Sequence, residues 1–173
     1  MRKGYFWTSC LAAPLWIASA QALPQTEPGN LVQQMGLKPG RWHTTGRIVS
    51  GQILPTEPGG TIPSELQAEL RKKLGTPFET EDCIGRPTTN GGLILPGIKI
   101  GSDCPPVESE ALGNRLRLKS ICGEDGFKAE TEVEASYQTT TMAAKIRVSA
   151  FSGGTRTLTK LELATSSKFV GPC

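Results

Sequence analysis

Glu130, Glu132 and Glu134 stand at alternate positions, so on a strand their carboxylates share one face. Three acids on one face could hold a metal or move protons. Their neighbours suggest a blander use. Phe127, Ala129, Thr131, Val133 and Ala135 occupy the positions between, apolar or small against charged, as in a half-buried strand. The stretch before it carries Arg117 and Lys119, and the stretch after it carries Lys145 and Arg147. Turn signals punctuate the run: Glu124-Asp125-Gly126 lies between the first two stretches, and Ser152-Gly153-Gly154 follows the third. Folded as a meander, the acidic strand lies between two basic ones. Directly opposed pairs of that kind contribute about 0.2–1 kcal/mol each. The glutamates therefore read as a solvated ion-pair face rather than a metal or acid/base site.

Other chemistry-bearing residues lack a constellation. His43 is the only histidine, and the type suits a general base or a metal ligand. It follows Trp42 on a strand and has no partner in sequence, so it reads as an exposed strand residue. Glu81-Asp82 and Glu124-Asp125 are adjacent carboxylates, and strand neighbours point to opposite faces. Ser102 and Ser152 sit near turns without a nucleophile context. Asn90-Gly91-Gly92 resembles a phosphate loop but lacks the following Lys-Ser/Thr. The chain has no G-x-S-x-G, H-E-x-x-H, Walker loop or C-x-x-C. No catalytic, cofactor-binding or metal-binding residue is assigned, no cofactor is expected, and the reading is non-enzymatic.

The elements around these residues begin with an export signal over 1–22. Arg2 and Lys3 form its basic start, residues 5–18 are largely apolar and uncharged, and Ala20-Gln21-Ala22 is an A-x-A-like site placing the cut before Leu23. The apolar run is short for a membrane span and contains Pro14. No other segment could span a bilayer, so the expected location is the periplasm or the exterior. Loss of Arg2 and Lys3 lowers the net charge from +3 to +1, which gives no footing for nucleic acid. The mature chain of about 151 residues suits one domain with a modest core.

Cys10 leaves with the signal, and Cys83, Cys104, Cys122 and Cys173 remain. An even count in an exported chain implies two disulfides, with three possible connectivities. A turn at Gly113-Asn114 folds residue 104 back to within about one position of residue 122. That predicts Cys104–Cys122. Cys83–Cys173 follows by elimination and requires the last strand to end beside the strand of residues 78–84. A four-cysteine zinc site is disfavoured, because no C-x2-C pair is present.

Residues 23–40 read as loop-like, with a short helical turn near Leu31 and Met35. A first strand covers residues 44–53, with Trp42 as a core anchor just before it. Residues 64–74 form the one substantial helix, its Leu66, Leu70 and Leu74 at i, i+4 and i+8 packing on the sheet as a lid. Ser64 and Gln67 suggest a capping box. Leu93-Ile94-Leu95 and Ile98-Lys99-Ile100 read as a hairpin-like connector covering one end of the sheet. The expected architecture is mainly β (α+β). It is a single domain over 41–173, built as a curved, half-barrel-like antiparallel meander of about seven or eight strands, with one packed helix.

The order of features resembles a known family. An export signal precedes Pro39-Gly40-Arg41-Trp42, then Cys83, then Cys104 and Cys122 flanking a hairpin, a meander, and a terminal Gly171-Pro172-Cys173. This is similar to the bacterial secreted family catalogued as domain of unknown function 3617, over residues 37–173. That family usually has an acid after the tryptophan, where this chain has His43, and basic residues before the last Gly-x-Cys, where it has only Lys168. The resemblance implies export and disulfides and brings no settled activity.

Three functions remain in view. A bent sheet with small inward residues could bind a small apolar ligand or an envelope component, with Phe127, Val133, Met142, Ile146 and Val148 facing the ligand. The chain could instead be a structural or protein-interaction module of the envelope using a sheet edge or the Pro/Gly loops, or a hydrolase with an unrecognised site.

Overall fold

Period-two alternation persists through most of the chain, and the backbone follows it. The computed structural model describes residues 28–85, 92–101, 103–104 and 106–173. The export signal over 1–22 with its expected cut before Leu23, the Asn90-Gly91 part of the glycine loop, and Ser102 lie outside the described residues. Two helices, α1 (Pro28–Gln34) and α2 (Ser64–Lys73), accompany nine strands. These are β1 (Gly40–Pro55), β2 (Pro77–Ile84), β3 (Leu93–Leu95), β4 (Ile98–Ile100), β5 (Pro106–Leu112), β6 (Arg115–Glu124), β7 (Phe127–Gln138), β8 (Thr141–Ser152) and β9 (Thr157–Gly171). Seven form one open sheet in the order β2-β1-β9-β8-β7-β6-β5, and β3 and β4 form a separate hairpin.

From β5 to β9 the sheet is a meander on short turns. Leu112 pairs with Arg115 around Gly113-Asn114, and Glu124 pairs with Phe127 around Asp125-Gly126. A glycine at the first position of the Gly113 turn, with φ +60°, suits the two-residue hairpin. The first strand then returns to pair with the last, Trp42 opposite Phe169 and Thr44 opposite Ser167. β1 is longer than predicted. Its register shifts between Ile48 and Ser50, a bulge at Val49 that reverses which parity faces the core.

One sheet face is apolar and half covered by the chain itself. Trp42 is fully buried there, its Nε1–H donating to the Lys38 carbonyl at 3.0 Å, with Phe169 edge-on at 6.2 Å. The β3–β4 hairpin buries Leu93, Leu95, Ile98 and Ile100 against Leu116, Leu118 and Tyr137 of the sheet and their neighbours. Each such aliphatic side chain contributes roughly 1.5–3 kcal/mol. Leu31, Met35 and Leu37 join the same core, and the helical turn expected near Leu31 and Met35 is the helix Pro28–Gln34.

The hairpin tip is pinned by polar atoms. Ser167 Oγ donates to the Pro96 carbonyl at 3.4 Å and lies 2.8 Å from Thr44 Oγ1. Asp82 Oδ2 accepts from the Gly97 N–H at 3.2 Å, and Asp82 Oδ1 meets Lys99 Nζ at 2.7 Å. The carboxylate is nearly buried, so these partners offset a desolvation cost that would otherwise exclude it from this face.

α2 differs from the expectation in detail. Leu66, Leu70 and Leu74 are half-buried, and no residue of α2 is fully buried. Leu70 lies over Gly51 and beside Leu161, while Leu74 bridges to Ile48 past the end of β2. Pro63 precedes the helix and no side chain caps it, so the Ser64 and Gln67 box does not form; Gln67 Oε1 instead accepts from Arg71 at 3.1 Å.

Both predicted disulfides are present. Cys104 and Cys122 have Cα atoms 4.6 Å apart at the open end of the β5–β6 hairpin. Cys83 and Cys173 have Cα atoms 6.0 Å apart. The pair expected by elimination forms without the expected adjacency, because β9 does not lie beside β2. β1 separates them, with Arg41 opposite Cys83 on one side and Gly171 on the other. The residues after Gly171 cross the start of β1 to reach Cys83.

Candidate functional site

The second sheet face carries the charges, and their signs alternate by strand. β5 presents Glu108 and Glu110, β6 Arg115, Arg117 and Lys119, β7 the three glutamates, and β8 Lys145 and Arg147. Arg117 stands opposite Glu134 and Lys119 opposite Glu132, which specifies the basic-beside-acidic neighbourhood expected from the sequence. Lys119 Nζ binds Glu130 at 2.7 Å and approaches Glu132 at 3.8 Å. Arg147 reaches Glu134 at 3.4 Å, Glu162 at 3.7 Å and Glu132 at 3.9 Å, and Lys145 binds Glu162 at 2.9 Å. The Glu130 hydrogen bond raises the Lys119 ammonium above its ordinary pKa, helped by Glu132 and Glu108 and opposed by partial burial. Each glutamate of β7 is thus engaged by a cation, and among the described residues no group of three or more His, Cys, Asp or Glu is placed to hold a metal.

A groove of about 550 Å³ opens on this face, lined by Ser149, Lys160, Gln52, Glu130, Arg147 and neighbours. A smaller one of about 280 Å³ lies further along, between Asn114, Gln138, Ser166 and Lys168. Both are open to solvent.

His43 has partners that sequence proximity hid. Register places Glu81 opposite it on β2, and Glu79 two residues away on the same face. Its Nε2 lies 3.9 Å from Glu79 and its Nδ1 4.0 Å from Glu81, whose other oxygen is 4.0 Å from Arg41. Glu81 and Asp82 diverge, the first onto this face and the second into the core. Ser152 is half-buried at the end of β8, opposite Thr157 and Phe127.

The residues expected to face a ligand separate. Val133, Met142 and Ile146 are buried in the core beneath the hairpin and α1. Val148 packs partly buried at its margin, and Phe127 is half exposed at the far end of β7.

The sequence raises a sheet edge as an interaction surface without saying which strands form one. β2 and β5 are its outer strands. On β2, Glu81 lies 4.0 Å from Arg41, and the His43 ring lies 3.9 Å from Glu79 and 4.0 Å from Glu81. β5 differs. Glu108 and Glu110 make no ion pair within 4.0 Å of a described cation, and no hydrogen bond from the described residues reaches its outward backbone. Val107 and Leu112 are exposed beside them, Leu112 at 73%. A period-two pattern cannot reveal which strand will be last in a sheet, so only the topology exposes this edge.

Among the described residues, no helix is long and apolar enough to cross a membrane. No curated protein and no solved structure matches the chain. A family model described as protein of unknown function DUF3617 matches residues 37–173, which include β1 with its Trp42, the whole sheet and all four bridged cysteines. With most of its length matched, the chain belongs to the DUF3617 family.

Proposed function

We propose that this chain is an exported, non-catalytic interaction module of the cell envelope that engages a partner along an open sheet edge. One observation carries the reading: the apolar face around Val133, Met142 and Ile146 is covered by the chain's own hairpin and α1, whereas β5 keeps an outward backbone without partners among the described residues. Unpaired edges are templates for an added strand. Export rests on the basic, apolar and A-x-A-like succession of residues 1–22.

A photoreactive residue at Leu112 and another at Lys168, in periplasmic material from the native host, test both parts. The expected result is a discrete protein adduct from the first position and none from the second, on a chain whose intact mass begins at Leu23. Retention of residues 1–22, or equal adducts from both positions, overturns the reading.

A second reading keeps the small apolar ligand. Beyond the hairpin the apolar face continues through Ala129, Val148, Ala150 and Leu161, all only half-buried. Native mass spectrometry of the same material separates the two, since a bound lipid or other small molecule favours this alternative.

A further inference from the structure

We infer that the partner strand at β5 is basic at alternate positions, an inference that rests on the edge reading above. Across the charged face the sheet runs acidic on β5, basic on β6, acidic on β7 and basic on β8. An added strand meets Glu108 and Glu110 directly, and a basic one continues the alternation. These two carboxylates stand opposite Lys119 and Arg117 in register but form no ion pair with them within 4.0 Å. On the apolar side β5 offers Ser109 and the half-buried Ala111, while the exposed Leu112 follows Glu110 on the charged side, opposite Arg115. An antiparallel partner, read from its N-terminus, is therefore apolar opposite Leu112, small opposite Ala111, basic opposite Glu110, small opposite Ser109 and basic opposite Glu108.

A second copy of this chain does not satisfy that pattern. Two β5 strands paired about Ser109 set Glu108 opposite the other copy's Glu110, twice. Two-fold registers centred one residue to either side set Glu108 or Glu110 against itself. Like charges directly opposed are destabilising, so the edge selects against itself and for a basic segment. The β2 edge differs, because Glu81 lies 4.0 Å from Arg41 and the His43 ring stands within 4.0 Å of both Glu79 and Glu81.

The test is an amide NMR titration of the oxidised mature chain with three blocked peptides. One is Leu-Thr-Lys-Thr-Lys-Val; the others carry Glu or Gln in place of Lys. The Lys peptide should move the amides of residues 106–112, the Glu peptide should not, and the Gln peptide should bind more weakly. Glu108→Gln with Glu110→Gln, a pair that preserves side-chain shape, should keep the unbound spectrum and weaken the Lys peptide about twofold to thirtyfold, the range set by two cross-strand ion pairs. If the Gln peptide binds β5 as tightly as the Lys peptide, the edge stands as the docking place and the basic-partner inference is overturned. If the Lys peptide instead moves amides around Glu79 and Glu81, or the lining of the charged groove, the inference is overturned by general attraction to acids. If none moves β5, both the inference and the edge reading fail.

Discussion

Gly97 shows how one missing side chain holds the apolar cover in place. It turns the β3–β4 hairpin with φ +73°, and a Cβ there would lie 2.5 Å from Thr44 Cγ2. Gly113 has a similar φ of +60° but open space around the corresponding Cβ. The two positions separate backbone strain from collision. Gly113→Ala is expected to cost ~1–2 kcal/mol, the left-handed penalty alone. Gly97→Ala should cost ~3 kcal/mol or more, because the tip must also retreat from Thr44 and stretch its bond to Asp82. Urea denaturation of the two variants reads the difference. Equal losses would mean that the hairpin tip is not held against β1.

At the scale of the strand, charge sets register and discourages mispairing. A one-residue slip of β7 would turn Glu130, Glu132 and Glu134 into the core, so the acidic strand has one tolerable alignment between its basic neighbours. Lys119 gives this a pH signature. Its pKa is raised in the fold above 10.5, first by the Glu130 hydrogen bond, so the protonated form favours the native state. The contribution is complete below the unfolded value of 10.5 and is lost as pH rises through the raised native value. Denaturant midpoints for the protein and its Lys119→Met variant should differ by a constant amount from about pH 7 to about pH 9, and the gap should shrink at higher pH. A gap that instead collapses near neutrality would refute the assignment. β5 supports a complementary prediction. Glu110→Lys makes the edge self-complementary, with Glu108 of one copy opposite the introduced lysine of the other at both ends of the pairing. Sedimentation should show a dimer for that variant, and loss of the dimer when Glu108→Lys is added. A monomeric Glu110→Lys variant would show that β5 is not open to a strand.

The whole molecule is closed by contacts between its beginning and its end. β1 pairs with β9, and Cys173 crosses β1 to bond Cys83, 90 residues away in sequence. The Cys104–Cys122 bridge spans 18 residues within one hairpin. Chain entropy then ranks the two bridges, at ~4.6 kcal/mol for the longer loop and ~3.2 kcal/mol for the shorter. Cys83→Ser with Cys173→Ser should therefore lower stability more than Cys104→Ser with Cys122→Ser, as read by guanidinium unfolding of the otherwise oxidised proteins. The reverse order would indicate that the β1–β9 closure survives without its bridge and retains structure when unfolded.

Local pattern by itself determined which residues face together, and short turns determined who their neighbours are. The basic, acidic, basic order of Lys119, Glu132 and Arg147 across three strands was legible because Glu124-Asp125-Gly126 and the stretch after Gln138 leave little freedom in register. The Cys104–Cys122 bridge was legible for the same reason. Trp42 read as an anchor from its type and its place beside a strand, and it is fully buried. Period two names a face, however, and never a distant partner. The pairing of β1 with β9, the carboxylates beside His43, and the burial of Met142 beneath a hairpin tip held by Asp82 depend on contacts between residues far apart in sequence. Such contacts form only where loop closure is repaid by the surfaces that meet, and no short window of sequence contains both surfaces. The free edge at β5 belongs to the same class, because a strand becomes last only when all the others have found their places.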